Sequence, residues 1–99
     1  MKLDSDRLSE IASICRRYSV RRLDLFGSAA TDQDRPGSDV DLLVEFEPGK
    51  EPTGFELVGM QEELSLAFGG RRVDLAFPSI LENPYRRRAI EAQLRPIFQ

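Results

Sequence analysis

The 99-residue chain contains no histidine and no tryptophan, one cysteine, and only two lysines among its 14 basic residues. Without histidine, imidazole acid–base catalysis and imidazole metal ligation are excluded. The lone Cys15 cannot close an internal disulfide and falls within an apolar helical pattern, so a core position in a reducing, cytoplasmic setting is expected. No apolar run approaches the about 18 residues that a membrane span requires, and the charged opening Met1-Lys2-Leu3-Asp4 lacks the apolar stretch of a secretory leader. A formal net charge of −3 and a pI near 5.0 argue against direct nucleic-acid binding, whose surfaces are normally basic. The arginine bias carries no functional reading. At 40% hydrophobic and 31% charged, the composition suits one small domain over residues 1–99.

What is present concentrates in two runs. Leu25-Phe26-Gly27-Ser28 is followed, after ten residues, by Asp39-Val40-Asp41-Leu42-Leu43-Val44-Glu45-Phe46. On a strand, side chains two residues apart share a face, so Asp39 and Asp41 point one way and Val40 and Leu42 the other. Carboxylates held this close repel unless positive charge lies between them, and a divalent cation is the usual solution. A Gly-Ser turn at the end of the preceding run could offer backbone N–H groups and a hydroxyl to phosphates. Arg72-Val73-Asp74-Leu75-Ala76 adds a third aspartate inside another strand-like run.

Periodicity and punctuation predict the element order α-β-β-α-β-α. Leu8, Ile11, Ala12, Cys15 and Tyr18 recur at helical spacing from Ser5 to about Tyr18, with Asp4 or Ser5 available as N-cap. Val20–Phe26 reads as a strand, and residues 28–38 as a short helical turn and loop. Asp39–Phe46 is a strand near the sheet centre. Pro48–Pro52 is a turn. A helix begins at Thr53 and stops at Gly69-Gly70, with Phe55, Leu64 and Phe68 expected in the core. Arg72–Phe77 is the third strand, ended by Pro78. The last helix runs from Tyr85 to about Leu94, with Arg86-Arg87-Arg88 near its start forming a solvated face or a partner or phosphate contact. Arg71 and Arg72 are expected at the surface, and Tyr18 and Tyr85 half-buried. About a dozen residues join the first two strands, too few for a crossover helix, so they should be antiparallel neighbours. That pairing sets Ser28 beside Asp39 and Asp41.

A Gly-Ser, a ten-residue spacer, Asp-x-Asp and a later strand aspartate, here Gly27, Ser28, Asp39, Asp41 and Asp74, resemble the minimal nucleotidyltransferase (MNT) family of the DNA polymerase β-like superfamily, including its MntA-type antitoxins. The resemblance runs from about Leu8 to the C-terminus. It implies the polymerase β-like α+β fold, a small mixed sheet flanked by helices, forming a single minimal nucleotidyltransferase domain over residues 1–99. It also implies Mg²⁺ held by Asp39, Asp41 and Asp74, with Gly27 and Ser28 binding the nucleotide. The implied activity is transfer of AMP from ATP to a hydroxyl of a partner protein, as the antitoxin of a HEPN-domain toxin. Family members often read Gly-Ser-Arg-Ala-Arg-Gly, whereas here Ala29, Ala30, Thr31 and Asp32 follow Gly27-Ser28, so the two arginines and the glycine are missing. A second reading stays open: a catalytically weak module that neutralises its partner by occlusion. Transfer to a small molecule such as an antibiotic fits less well, because no second domain is seen to hold it. The acceptor residue and the oligomeric state are not legible.

Overall fold

The computed structural model describes residues 1–31 and 33–99; Asp32 lies outside the described residues. The elements are α1 (Ser5–Arg17), β1 (Val20–Phe26), a 3₁₀ turn (Gly27–Ala30), β2 (Val40–Phe46), α2 (Gly54–Ala67), β3 (Val73–Ala76), a second 3₁₀ turn (Pro78–Glu82), α3 (Pro84–Glu91) and β4 (Arg95–Phe98). They form a four-stranded mixed sheet in the order β3-β2-β1-β4 with three helices, an α+β architecture. β1 pairs antiparallel with both β2 and β4, while β2 and β3 are parallel.

Each helix starts where its sequence satisfies the first N–H groups. The Asp4 side chain accepts from Arg7 N–H at 2.8 Å. Thr53 and Glu56 form a reciprocal capping box at α2. Asn83 caps α3, with Pro84 in its first turn, where no N–H is needed. α2 ends in a Schellman motif: Gly69 N–H donates to Leu66 and Gly70 N–H to Ser65, both glycines at positive φ.

One face of the sheet is dry. Leu23 and Leu25 of β1, Val40, Leu42 and Val44 of β2 and Val73 of β3 pack against Ile11, Ile14 and Cys15 of α1 and Met60, Leu64 and Ala67 of α2. Burial pushes the Cys15 thiol up to about 12, which makes it an inert core residue. The opposite face is partly covered by the second 3₁₀ turn and α3 and carries the polar residues of the strands.

Three expectations are corrected. Residues 95–98 form a fourth strand and α3 stops at Glu91, because Arg95–Phe98 pairs with the otherwise open edge of β1. That run is short and contains Pro96, so its pattern alone does not announce a strand. Phe55 is 93% exposed rather than core: α2 carries apolar residues on both faces, and Met60, Leu64 and Ala67 define the buried one. Tyr85 is likewise exposed, on the outer side of α3. Accordingly, Leu64→Ala should lower stability by about 2–5 kcal/mol. Phe55→Ser should stay within about 0.5 kcal/mol of wild type in chemical denaturation.

Candidate active site

Alternation along β2 sends Val40, Leu42 and Val44 into the core and Asp41, Leu43 and Glu45 to the outer face. Asp41 lies opposite Phe26 on β1 and directly beside Asp74 on β3. Adjacent strands are spaced by about 4.8 Å, so the two carboxylates are neighbours on one face. Asp39 precedes the strand and is exposed at its mouth. The structure therefore brings together all three aspartates singled out in the sequence.

Their fields overlap. The Asp41 carboxyl is held above its ordinary value, first by burial and then by the negative charges of Asp74 and Asp39. Asp74 is half-exposed, and Arg72, two residues earlier, reaches its Oδ1 at 3.4 Å. Among the described residues no three potential metal-ligating side chains converge tightly enough to enclose an ion as they stand. The donor chemistry nevertheless fits a hard cation: the candidate ligands are carboxylate oxygens, and no imidazole or thiolate adjoins them. Turning Asp74 from Arg72 would free it for that role.

Gly27 closes the site from the β1 side. Its φ is +67°, and a Cβ there would stand 2.6 Å from Asp41 Oδ2. The position thus needs glycine for its left-handed backbone and for the close approach of the carboxylate. Ser28 follows in the 3₁₀ turn, which has no side-chain cap, so the hydroxyl is not spent on capping. The Ser28 carbonyl accepts from the Thr31 backbone N–H at 3.1 Å and from its hydroxyl at 3.2 Å. The missing arginine at Ala29 has a structural reason. Ala29 is fully buried in the core cluster, where a guanidinium would be desolvated without a partner.

Two residues escaped the sequence reading of the site. Arg71, expected at the surface, is largely buried: its Nη2 and Nη1 bind Asp34 Oδ1 and Oδ2 at 2.7 and 3.3 Å, and its Nε donates to Ser38 O at 2.8 Å. It therefore anchors the loop that delivers Asp39. The fork holds the Asp34 carboxyl below the usual carboxylate range. Asp24, on β1, is only 1% exposed and pairs through Oδ2 with Arg22 Nε at 2.8 Å. The signal for Asp24 was present: an aspartate between Leu23 and Leu25 must face the other side of the sheet, where a second layer can cover it.

A sheet whose central strand presents such carboxylates beside a Gly-Ser turn is the architecture of nucleotidyl transfer, and the model of the nucleotidyltransferase domain family matches residues 8–96. The chain belongs to that family of enzymes. It is 35% identical to the Methanocaldococcus jannaschii protein named "Putative protein adenylyltransferase MJ1379", over 88% of this chain and 94% of that one. It is 37% identical to protein adenylyltransferase MntA of Thermococcus cleftensis, over 68% and 65% of the two chains. A solved structure titled "Structure of putative minimal nucleotidyltransferase" superposes with a TM-score of 0.71 at 31% identity, covering 92% of this chain and 89% of the other. A second, a toxin–antitoxin crystal structure with AMP-PNP, superposes with a TM-score of 0.67 at 18% identity, covering 92% and 72%, and shares the fold.

The raised Asp41 carboxyl has a definite sign for stability. Folding favours its protonated form, so its favourable contribution is present below 3.8 and is lost as pH rises through the folded value. Asp41→Asn should therefore raise the melting temperature of the ligand-free protein at neutral pH, by about 4–8 °C for each kcal/mol of unfavourable charge removed in a domain of this size. The gain should vanish below about pH 4, as checked by thermal unfolding at both pH values. Gly27→Ala should cost about 1–2 kcal/mol through its left-handed backbone. It should also displace the Asp41 carboxylate, read as a shifted carboxyl titration by carbon-13 NMR.

Proposed function

We propose that this protein transfers AMP from ATP to a hydroxyl of a partner protein and serves as the antitoxin of a HEPN-domain toxin. The observation that carries the reading is the row Phe26–Asp41–Asp74 on the outer sheet face, with Gly27 pressed against Asp41. The relatives named as protein adenylyltransferases support the choice of AMP and of a protein acceptor. The fold neighbour solved as a toxin–antitoxin pair motivates the toxin partner.

In this reading Asp39, Asp41 and Asp74 hold Mg²⁺, while the backbone at Gly27 and the Ser28 hydroxyl receive the β- and γ-phosphates. Bound Mg²⁺ supplies charge stabilisation to the entering and leaving oxygens of an in-line displacement. Asp74 accepts the proton of the acceptor hydroxyl, whose oxygen bonds to the α-phosphorus as the bond to pyrophosphate breaks. Asp41 is suited to ligation because burial, and then the charges of Asp74 and Asp39, already make its bare anion costly. Among the described residues Arg72 forms an ion pair with this row, and its contact with Asp74 is exposed and weak enough to exchange for phosphate.

Two observations favour the occluding module instead: Ala29 and Thr31 stand where the family often has arginines, and Arg72 is engaged with a candidate ligand. Incubation of the purified pair with ATP labelled at the α-phosphate separates the two. Adenylyl transfer should label the partner, and Asp41→Asn should lower the rate by about 10²-fold or more, the scale of losing one group that stabilises transition-state charge. Ser28→Ala should leave stability within about 0.5 kcal/mol while weakening ATP binding. An unlabelled partner that is still neutralised would sink the transfer reading and favour occlusion.

A further inference from the structure

The outer sheet face carries a second feature beside the aspartate row. A cavity of about 160 Å³ opens under the second 3₁₀ turn and α3, walled by Leu43, Pro78, Leu81 and Leu94, with Asp24 in its lining and Glu45 and Glu91 also along it. Asp24 is the buried polar residue of the described chain, and its Oδ1 has no hydrogen-bond partner. Arg22 engages the other oxygen alone. An acceptor oxygen left open in a buried site is costly, and such a group marks a place where a donor is missing.

The lining states what that donor would be. Three carboxylates and one arginine make the cavity acidic, and its apolar walls suit a hydrocarbon stem. The rim carboxylates already meet arginines, Glu45 with Arg21 at 4.0 Å and Glu91 with Arg87 at 3.0 Å, but these pairs are exposed and screened. Asp24 is the group that selects. Cavities of about 150 Å³ admit a benzene-sized molecule, so the stem and head of a long basic side chain fit.

Asp24 lies opposite Leu43, two residues along β2 from Asp41. This diagonal relation puts it about 7–8 Å from the candidate active site on the same face. We propose that the cavity is a subsite for an arginine or lysine side chain of the acceptor protein, its cationic end paired with Asp24 while the acceptor hydroxyl lies at Asp41 and Asp74. The assignment to an acceptor protein rests on the transfer reading above; the preference for a cation with an apolar stem does not. The spacing restricts the acceptor to a basic residue within about one helical turn of the modified hydroxyl, or brought equally close by folding.

The test titrates isotope-labelled protein with N-acetyl-lysine methylamide and with its uncharged analogue, N-acetyl-norleucine methylamide, followed by methyl NMR of Leu43, Leu81 and Leu94. The lysine probe should produce saturable shifts with an affinity in about the millimolar range. The norleucine probe, and the lysine probe on Asp24→Asn, should bind about 10-fold or more weakly, the worth of one charge-assisted hydrogen bond. Leu81→Trp, which fills the cavity without altering charge, should abolish the shifts even if Asp24→Asn fails to fold. Asp41→Asn should bind the probe as wild type does, so failure of the transfer reading and failure of the subsite are separately visible. Equal binding of both probes, undiminished binding to Leu81→Trp, or no shift at all would overturn the proposal and leave the open oxygen of Asp24 to water.

Discussion

Asp41 and Asp74 stand side by side on adjacent parallel strands, and the repulsion between them is the constraint to which the rest of the outer face answers. The register permits no escape, because sliding either strand by one residue would turn Val40 and Val73 out of the core. Hydrophobic burial on the inner face therefore enforces an unfavourable contact on the outer one. Arg72 relieves part of it at Asp74, and solvent at the open mouth relieves more. Local cost held in place by global packing is a common mark of functional sites.

The two faces divide the work of a small domain. The inner face, between the sheet and the pair α1–α2, is apolar throughout, and even its cysteine is chemically silent. The outer face holds the aspartates, the Gly-Ser turn and buried Asp24, under a thinner cover of one 3₁₀ turn and an eight-residue helix. Ala29 belongs to the inner set although it lies one residue beyond Ser28. Its burial accounts for the first missing arginine of the frequent family pattern; nothing in the structure explains the second, at Thr31.

Much of this was legible in the chain, and the reasons are local. Alternation placed β1 and β2, glycines ended α2, and a spacer too short for a crossover made the first two strands antiparallel. Asp39 and Asp41 could be grouped because a spacing of two puts them on one face of a strand, and Asp74, in a second strand-like run, joined them through the family resemblance. What escaped depended on distant partners. β4 exists because β1 has a free edge, not because Arg95–Phe98 has a strong pattern. Phe55 looked like core and Tyr85 half-buried because apolar content does not say which of two faces is covered. Arg71 looked like surface because its partners, Asp34 and Ser38, lie more than 30 residues away.

That last tether bears on how the site comes apart. β3 has four residues at the edge of the sheet, held to β2 by a short parallel ladder, with Val40 N–H donating to Arg72 O just before it, and tied to α2 by Gln61, whose amide donates to Val73 O. Arg71 sits just before it and carries the anchor of the loop leading to Asp39. When β3 peels away, Asp74 leaves with it and the anchor of that loop is released, while the β1–β2–β4 sheet and the α1 packing remain. The carboxylate site is thus one cooperative opening unit, with a free energy below that of global unfolding. Amide protons of residues 38–40 and 73–76 are therefore expected to exchange together, at a rate set by an edge strand rather than by the core.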